Sequence, residues 1–293
     1  MDGLINVLKP PGMTSHDVVS FLRREFQQKK IGHAGTLDPQ AAGVLPVCLG
    51  QATRLVEYLS HDHKEYLCEL TLGITTTTQD AWGEVIEQCE ASEIMLAKIK
   101  EVLSSFEGEV WQIPPMYSAI KLDGVPLYKL ARKGEEIERE PRQVYIEKIT
   151  LLDYRHPKLL LLVNCSKGTY IRTLCHDIGS ALGAGGIMSF LLRTRVGNFT
   201  LEDSFTLEEI QEFKKGALLP LTYGIAGLPK ISLPNDHITR LKNGQAIPYI
   251  RELPAHESAA VLDEQQNLHA IVSIDNGMNG TCLLKPKKVF HLE

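Results

Sequence analysis

The spacing of apolar and polar residues predicts a mixture of strands and helices through about residue 225. Residues 64–72, KEYLCELTL, alternate as a half-buried strand does, with Tyr66 and Cys68 on one face and Leu67 on the other. Residues 159–165 form a continuous apolar run, which predicts a central strand that is fully buried. Further strands are predicted at residues 4–8, 111–122 and 142–154, and the apolar run at residues 44–49 is predicted to be buried.

Helical spacing begins after Ser15, which we predict to be an N-cap residue. Val18, Leu22 and Phe26 then recur every four residues, so they would form one apolar stripe. Other helices are predicted at residues 51–59, 92–106, 127–133 and 170–182, and residues 73–82 are predicted to be a loop. Strands and helices mixed in this way predict an α+β fold with a mixed, mostly antiparallel sheet and flanking helices.

The pattern changes near residue 228, where glycines and prolines appear and no long helix follows. Short strands are predicted at residues 259–262, 268–273 and 281–285, separated by turns such as the one at Asp275, Asn276 and Gly277. We therefore predict two domains, a large one at residues 1–228 and a small β-rich one at residues 229–293.

Composition and charge narrow the function classes. The chain contains no apolar segment long enough to span a membrane and no signal-peptide pattern, so we expect a cytoplasmic protein. A formal net charge of -5 does not favour a nucleic-acid binder, but basic residues still cluster locally. These clusters are candidate phosphate contacts, with a solvated surface as the alternative. They comprise Lys167 with Arg172, Arg193 with Arg195, and Lys285 with Lys287 and Lys288.

Metal and cofactor chemistry finds no support in the sequence. The six cysteines are scattered without a CxxC pair or Cys/His ligand spacing, so we expect reduced thiols, no disulfide and no metal site. A phosphate-binding loop and a dinucleotide fingerprint are also absent, and we expect no cofactor.

The stretch from Gly32 to Arg54, GHAGTLDPQAAGVLPVCLGQATR, presents one carboxylate, that of Asp38, on a turn. Gly32 and Gly35 allow backbone geometries denied to other residues, and Pro39 keeps Asp38 out of the helical region. By itself this pattern is more typical of a structural turn, in which the carboxylate binds nearby backbone amides, than of a catalytic acid. The remaining motifs decide between these two readings.

Those motifs resemble the TruB family of tRNA pseudouridine synthases. Four blocks carry the resemblance in the family's order: KPPGMTS from Lys9, the stretch from Gly32, PPMYSAIKLDGVPLYKLAR from Pro114, and SKGTYIRTLCHDIG from Ser166. The resemblance implies the pseudouridine synthase fold and, more weakly, a small C-terminal β-barrel similar to a PUA domain. It also implies the isomerisation of uridine 55 in the T loop of tRNA to pseudouridine, a reaction that requires no cofactor.

The resemblance implies roles for seven residues. Asp38 matches the catalytic aspartate, Arg172 the arginine that pairs with it, and Tyr66 the tyrosine that stacks on the target base and is placed to take the carbon 5 proton. An ordinary phenol is a poor base at neutral pH, so stacking is the better supported role of Tyr66. The substrate-binding set comprises Tyr170 and Leu191 lining the base pocket, His33 filling space left by flipped nucleotides, and Lys9 supporting the catalytic loop or contacting phosphate.

Three first steps for Asp38 remain open: attack on the sugar carbon, attack on the uracil ring, or proton abstraction to give a glycal. The family commonly has two successive arginines where this chain has Leu192 and Arg193, which removes one expected RNA or loop contact.

The expected partner is tRNA, bound through its T arm and, through the C-terminal module, its acceptor end. We expect a monomer without a protein partner. Two alternative functions are an RNA-folding chaperone and a guide-RNA-dependent synthase of the dyskerin type. The absence of long basic extensions disfavours the latter.

Overall fold

The computed structural model describes residues 1–59, 63–88, 90, 92–118, 120–122, 124–131, 133–135, 137–250, 258–276 and 281–291. Its strands are β1 (Gly3–Lys9), β2 (Ile31–His33), β3 (Ala42–Leu49), β4 (Lys64–Leu72), β5 (Ile74–Thr76), β6 (Val85–Gln88), β7 (Gly108–Gln112), β8 (Lys121–Leu122), β9 (Val125–Pro126), β10 (Arg142–Arg155), β11 (Lys158–Cys165), β12 (Gly186–Val196), β13 (Phe199–Thr200), β14 (Lys230–Ser232), β15 (Ile247–Ile250), β16 (Ser258–Leu262), β17 (Leu268–Asn276) and β18 (Thr281–Val289). Its α-helices are α1 (Ser15–Glu25), α2 (Val56–Leu59), α3 (Leu96–Ser105), α4 (Leu127–Ala131), α5 (Ile171–Ala181), α6 (Leu207–Phe213) and α7 (Asn235–Lys242).

The large sheet has the strand order β1-β3-β12-β4-β11-β10-β7, with β2 paired to β3 and β13 paired to β12. Its neighbouring strands are antiparallel except for β12 and β3, which run parallel. The predicted α+β fold with a mixed, mostly antiparallel sheet is therefore confirmed. Helices α3 and α5 pack on one face, where they bury Ile99, Leu103 and Leu174 with the apolar side of β4 and β11.

The strand β12 is central to the sheet but was not predicted from the sequence. The backbones of β12 and β3 approach closely where the two strands run parallel. Only glycine fits at residue 43, because a Cβ there would lie 2.2 Å from the carbonyl oxygen of Arg193. The sequence around β12 contains basic and apolar residues without strict alternation, and register shifts interrupt its pairing with β4. This irregularity obscured the strand pattern.

Several predicted elements were wrong in extent or kind. The predicted strand at residues 111–122 is strand only at its two ends, in β7 and β8, and residues 50–55 form a 3₁₀-helix before α2. The helix predicted from residue 92 begins at Leu96, and part of the predicted loop at residues 73–82 forms β5. The strand β11 is not fully buried, because its residues alternate between buried and half-buried positions.

The N-cap of α1 is Thr14 rather than Ser15. The Thr14 hydroxyl accepts a hydrogen bond from the Asp17 backbone at 3.0 Å, and the Asp17 carboxylate accepts one from the Thr14 backbone at 2.8 Å. This reciprocal capping box frees Ser15 to contact the turn that carries Asp38.

The C-terminal residues form a five-stranded sheet with the order β14-β16-β17-β18-β15, accompanied by the short helix α7. Asp275 and Asn276, predicted to form a turn, lie within β17, and Gly277 lies outside the described residues. A shared apolar cluster joins this sheet to the first one, with Phe290 and Leu262 packed among residues such as Leu55. In the part of the chain that the structure describes, no helix combines the length and apolar character needed to cross a membrane.

Candidate active site

Asp38 lies on the connection between β2 and β3, which three contacts hold in place. The Ser15 hydroxyl accepts a hydrogen bond from the Leu37 backbone at 2.9 Å and donates one to the Leu37 carbonyl at 3.2 Å. The Gly12 backbone donates to the Pro39 carbonyl at 2.9 Å. Gly35 has a φ of 102°, whereas Gly32 lies within β2, so Gly35 is the glycine that the turn requires.

Arg172, on the first turn of α5, binds the Asp38 carboxylate through an ion pair and a hydrogen bond. Arg172 Nε lies 2.9 Å from Asp38 Oδ2, and Arg172 Nη2 donates to Asp38 Oδ1 at 3.3 Å. The Arg172 side chain is 4% exposed, whereas the Asp38 side chain is 37% exposed and remains open to solvent. A fork of this kind fixes the position of a carboxylate while leaving one side accessible.

The connection between β5 and β6, residues 77–84, supplies the second set of contacts to Arg172. Arg172 Nη1 donates to the Thr78 carbonyl of this connection at 3.2 Å. Arg172 Nη2 donates to the Tyr117 carbonyl, which lies between β7 and β8, at 2.8 Å. Arg172 Nε lies 3.9 Å from Asp80 Oδ2. Asp80 is not predicted as a site residue from the sequence, because it lies in a stretch without periodicity and a single acid in a polar loop gives no further signal.

Partial burial is the largest influence on Asp38 and raises the pKa of its carboxyl group. The Arg172 guanidinium opposes this shift, whereas the like charge of Asp80 adds to it. Arg172 therefore carries most of the charge compensation that keeps Asp38 ionised.

Tyr66 lies on β4 opposite Arg193 of β12, and the two side chains form a hydrogen bond. Burial raises the pKa of the Tyr66 phenol, and Arg193 opposes that shift. Tyr66 shares an apolar cluster with Leu37, Ala41 and Leu191, so it borders the turn that carries Asp38.

Arg193 is 1% exposed, so the prediction that it contacts phosphate is wrong. Arg193 Nε donates to the Val44 carbonyl at 2.7 Å, and Nη2 donates to the Gly35 carbonyl at 3.2 Å. Burial lowers the pKa of Arg193, and the neighbouring Tyr66 opposes this shift. Arg193 thus connects Tyr66 to the turn that carries Asp38.

Tyr170 is the N-cap residue of α5, two positions before Arg172 in the chain. The backbone nitrogen of Tyr170 donates to Gln112 Oε1 at 3.0 Å, and Gln112 Nε2 donates to the Tyr170 carbonyl at 3.2 Å. These two hydrogen bonds fix the start of α5 and therefore the position of Arg172. Tyr170 is half-buried, and Leu191 is buried in the apolar cluster that contains Tyr66.

Lys9 is completely buried, and its Nζ donates to the carbonyls of Pro10, Met13 and Pro39 at 2.9, 2.6 and 3.1 Å. This geometry fits support of the loop after Asp38, and it leaves no surface ammonium for a phosphate. Burial lowers the pKa of Lys9 to about 8. His33 is half-buried in β2, and burial together with Arg193 lowers the pKa of its imidazole.

Most other predicted phosphate contacts have acidic partners on the surface. Arg195 Nη2 lies 3.2 Å from Glu65 Oε2. Lys285 Nζ lies 2.5 Å from Asp275 Oδ2, and Lys288 Nζ lies 2.8 Å from Glu57 Oε1. Among the residues that the structure describes, no group of three or more His, Cys, Asp or Glu side chains is arranged to hold a metal ion. The five described cysteines are free thiols, and Cys89 lies outside the described residues.

The comparisons with known proteins place this α+β chain, with its arginine buried against a half-open carboxylate, among the pseudouridylate synthases. The model for the TruB family pseudouridylate synthase N-terminal domain matches residues 23–171, and that for the tRNA pseudouridylate synthase B C-terminal domain matches residues 172–219. The chain belongs to the TruB family, whose members are isomerases.

Relatives extend over most of the chain. It is 50% identical over 249 residues to tRNA pseudouridine synthase B of Alkaliphilus oremlandii (strain OhILAs), covering 84% of this chain and 83% of the relative. It is 45% identical over 292 residues to the protein of the same name from Caldanaerobacter subterraneus subsp. tengcongensis, covering 99% of both. A solved structure described as an H/ACA RNP bound to a substrate RNA containing 2'-deoxyuridine superposes with a TM-score of 0.78 at 27% identity, covering 99% of this chain and 85% of that chain.

Proposed function

We propose that this protein converts uridine 55 in the T loop of tRNA to pseudouridine, with Asp38 as the catalytic residue. The names of its relatives support tRNA as the substrate. The observation that carries the assignment of Asp38 is its paired but half-open carboxylate, held by Arg172 at 2.9 Å. A carboxylate in this setting is fixed in orientation and still accessible to a substrate.

The reaction is an isomerisation in which the atoms of substrate and product are the same. The bond between N1 of uracil and the sugar breaks, the ring turns, and a bond from carbon 5 to the sugar forms. Carbon 5 loses its proton, and N1 ends with one. Asp38 must be ionised to act on the nucleotide, and Arg172 favours that state against the effect of burial.

Tyr66 stacks on the uracil ring in this proposal. Tyr66 belongs to the apolar cluster with Leu37 and Leu191 next to the turn that carries Asp38, where its ring offers an apolar contact for a base bound over that turn. The hydrogen bond from Arg193 restrains the ring, because the phenol oxygen accepts it from a side chain that is itself fixed to backbone carbonyls. The raised pKa of Tyr66 makes the neutral phenol the prevailing form and favours stacking over proton abstraction.

The target uridine must leave the stack of the loop before Asp38 can reach it, which costs a few kcal/mol. We propose that His33 and Tyr170, both half-buried beside the turn and α5, contact the remodelled loop. Lys9 contributes indirectly by holding the Pro39 carbonyl next to Asp38. We extend the proposal to a monomer acting in the cytoplasm, with the C-terminal sheet contacting the acceptor end.

The test is release of tritium from carbon-5-labelled uridine in an unmodified tRNA transcript by the purified chain. We expect release without any guide RNA, and Asp38→Asn should reduce the rate to less than about a thousandth of its normal value. Asp153→Asn is the matched control, because Asp153 lies 2.9 Å from Arg155 on the exposed part of β10.

Other outcomes would assign a different function. Tritium release that requires an added guide RNA would favour the guide-dependent alternative, to which the similarity with the H/ACA structure gives some weight. Improved tRNA folding that survives Asp38→Asn, without any tritium release by the unaltered protein, would favour a chaperone. Unchanged release by Asp38→Asn would contradict the role of Asp38.

A further inference from the structure

The chain contains two tryptophans, Trp82 and Trp111, and both are largely exposed, at 51% and 65%. A tryptophan side chain can bury a large apolar area, so an exposed one on a segment held by many hydrogen bonds calls for an explanation. The two tryptophans differ in their surroundings. Trp82 lies on the connection at residues 77–84 that contacts Arg172, whereas Trp111 lies on the edge strand β7.

Trp82 is tied to the candidate active site through Asp80. The backbone nitrogen of Trp82 donates to Asp80 Oδ1 at 3.1 Å, and Asp80 Oδ2 lies 3.9 Å from Arg172 Nε. The same Nε lies 2.9 Å from Asp38 Oδ2. One carboxylate and one guanidinium therefore separate the Trp82 backbone from the catalytic carboxylate.

The segment that carries Trp82 is held by many contacts. Thr76 and Thr78 donate hydroxyl hydrogen bonds to the carbonyl and to Oδ1 of Asp80, at 2.6 and 2.5 Å. The Ala81 backbone donates to the Met188 carbonyl at 3.1 Å. A Cβ at residue 83 would lie 2.3 Å from Thr78 Oγ1, so Gly83 allows the segment to close on itself. A fixed segment presents the indole without the entropic loss of ordering a loop on binding.

The charges of this segment favour contact with an uncharged part of a ligand. Between residues 77 and 84 the charged side chains are Asp80 and Glu84, and both are acidic. Carboxylates repel phosphate groups, whereas the flat face of a nucleobase is uncharged and stacks well on an indole. RNA-binding proteins recognise unstacked bases in this way, and a flipped uridine leaves neighbouring bases unstacked.

We propose that Trp82 stacks on an unpaired base of the RNA substrate next to the target uridine. This inference rests on the proposed function, because it requires the RNA loop to bind over Asp38. Trp82 is then a substrate-positioning residue whose removal weakens binding of the RNA more than it slows the reaction of bound RNA.

Trp111 provides the matched control. In β7 its neighbour Gln112 is buried and binds the Tyr170 backbone, so successive residues place the Trp111 side chain on the opposite face of the sheet. Trp111 is more exposed than Trp82 but lies on the sheet face opposite to the one on which Gln112 contacts the start of α5.

The experiment uses two single-tryptophan proteins, each also carrying Asp38→Asn so that the RNA is bound without reacting. Trp111→Phe leaves Trp82 as the reporter, and Trp82→Phe leaves Trp111. Each is titrated with an unmodified T-arm RNA while its tryptophan fluorescence and the anisotropy of end-labelled RNA are recorded. We expect saturable quenching of Trp82 fluorescence, with its midpoint at the RNA concentration at which anisotropy reaches half of its change. For Trp111 we expect only the loss of signal caused by absorption of light by the RNA.

Activity gives a second readout in proteins with Asp38 intact. Because stacking of one base on an aromatic side chain strengthens binding by about tenfold or more, Trp82→Ala should weaken RNA affinity by at least that factor. Trp82→Phe should retain most of the affinity, Trp111→Ala should change nothing, and the rate for bound RNA should stay within about twofold.

The outcomes distinguish this inference from the proposed function. The stacking role would be overturned if anisotropy showed RNA binding without quenching of Trp82. It would also be overturned if Trp82→Ala bound RNA with unchanged affinity. Either result would leave the proposed function standing. A rate that falls while affinity is unchanged would assign Trp82 to support of Asp80 instead. RNA that fails to bind the unaltered protein would overturn the proposed function itself.

Discussion

Asp38 illustrates how neighbouring charges determine the chemistry of one carboxylate. Burial and Asp80 raise its pKa, and Arg172 opposes both. The net effect is a pKa above the ordinary value for aspartate, so ionisation of Asp38 should limit the reaction on the acidic side of the pH profile.

Asp80→Asn tests this balance. The substitution removes a like charge and preserves the size of the side chain, so the pKa of Asp38 should fall and the carboxylate should remain ionised at lower pH. We expect the acid limb of the single-turnover rate to move to lower pH. The pH at the midpoint of this limb reports the effect of the Asp80 charge on the pKa of Asp38. The rate on the plateau above it reports any loss of positioning of Arg172.

Asp153→Asn serves as the control for the pH profile, because its surface pair with Arg155 lies away from the site. An acid limb that stays in place or moves to higher pH in Asp80→Asn would contradict the contribution of Asp80.

Arg193 and Arg172 show what burial decides at the scale of a residue. Local charge in the sequence makes both candidate phosphate contacts. In the structure both are almost completely buried, Arg172 against a carboxylate and Arg193 against Tyr66 and backbone carbonyls. A buried guanidinium orients its partners and is not free to bind phosphate.

At the scale of an element, helix α1 does two separate things through two adjacent residues. Thr14 caps the helix through Asp17, and its contacts are exposed. Ser15 is buried and binds both backbone groups of Leu37, the residue before Asp38. The first contact concerns helix stability, and the second concerns the position of the catalytic turn.

Substitution of these neighbours should separate the two effects. Thr14→Ala should lower the free energy of unfolding by about 1 kcal/mol through loss of the cap and leave the single-turnover rate unchanged. Ser15→Ala leaves two buried backbone groups unpaired, so it should lower that free energy by about 1–3 kcal/mol and also slow the reaction. Urea unfolding and single-turnover kinetics measure the two quantities.

The prediction for α1 would be contradicted by a slowed reaction in Thr14→Ala. An unchanged reaction in Ser15→Ala would show that the turn holds Asp38 without its contact to the helix.

At the scale of the whole molecule, the two sheets share one apolar cluster and several polar contacts. Phe290 and Leu262 of the C-terminal part pack with Leu55 of the first part, and the His291 backbone donates to Gln51 Oε1 at 2.9 Å. The C-terminal sheet is therefore fixed relative to the sheet that carries Asp38.

Phe290→Ala should lower the free energy of unfolding by about 3–5 kcal/mol, because it removes a fully buried aromatic ring and leaves a cavity. Phe213→Ala is the control, since that ring is 47% exposed and its removal should cost much less. Urea unfolding measures both. Equal losses in the two variants would contradict a packed junction between the sheets.

The sequence by itself determined the features that depend on local periodicity. Strict alternation identified β4, helical spacing identified α1 and α5, and the glycines with Pro39 placed Asp38 on a turn. The family resemblance supplied the expected pairing of Asp38 with Arg172. Irregular segments gave no such signal, so β12 was not predicted, and neither was the contact that Asp80 makes from a segment correctly predicted to be a loop.

The tertiary structure alone decided which groups meet and which are buried. Asp38 and Arg172 are 134 residues apart, and Arg193 is 149 residues from the Val44 carbonyl that it binds. No local pattern encodes such contacts, because they exist only once α5 has packed on the sheet and β12 has joined β3 and β4. That assembly converts Arg193 from an expected surface cation into an internal support, and it brings Asp80 to the arginine that holds Asp38.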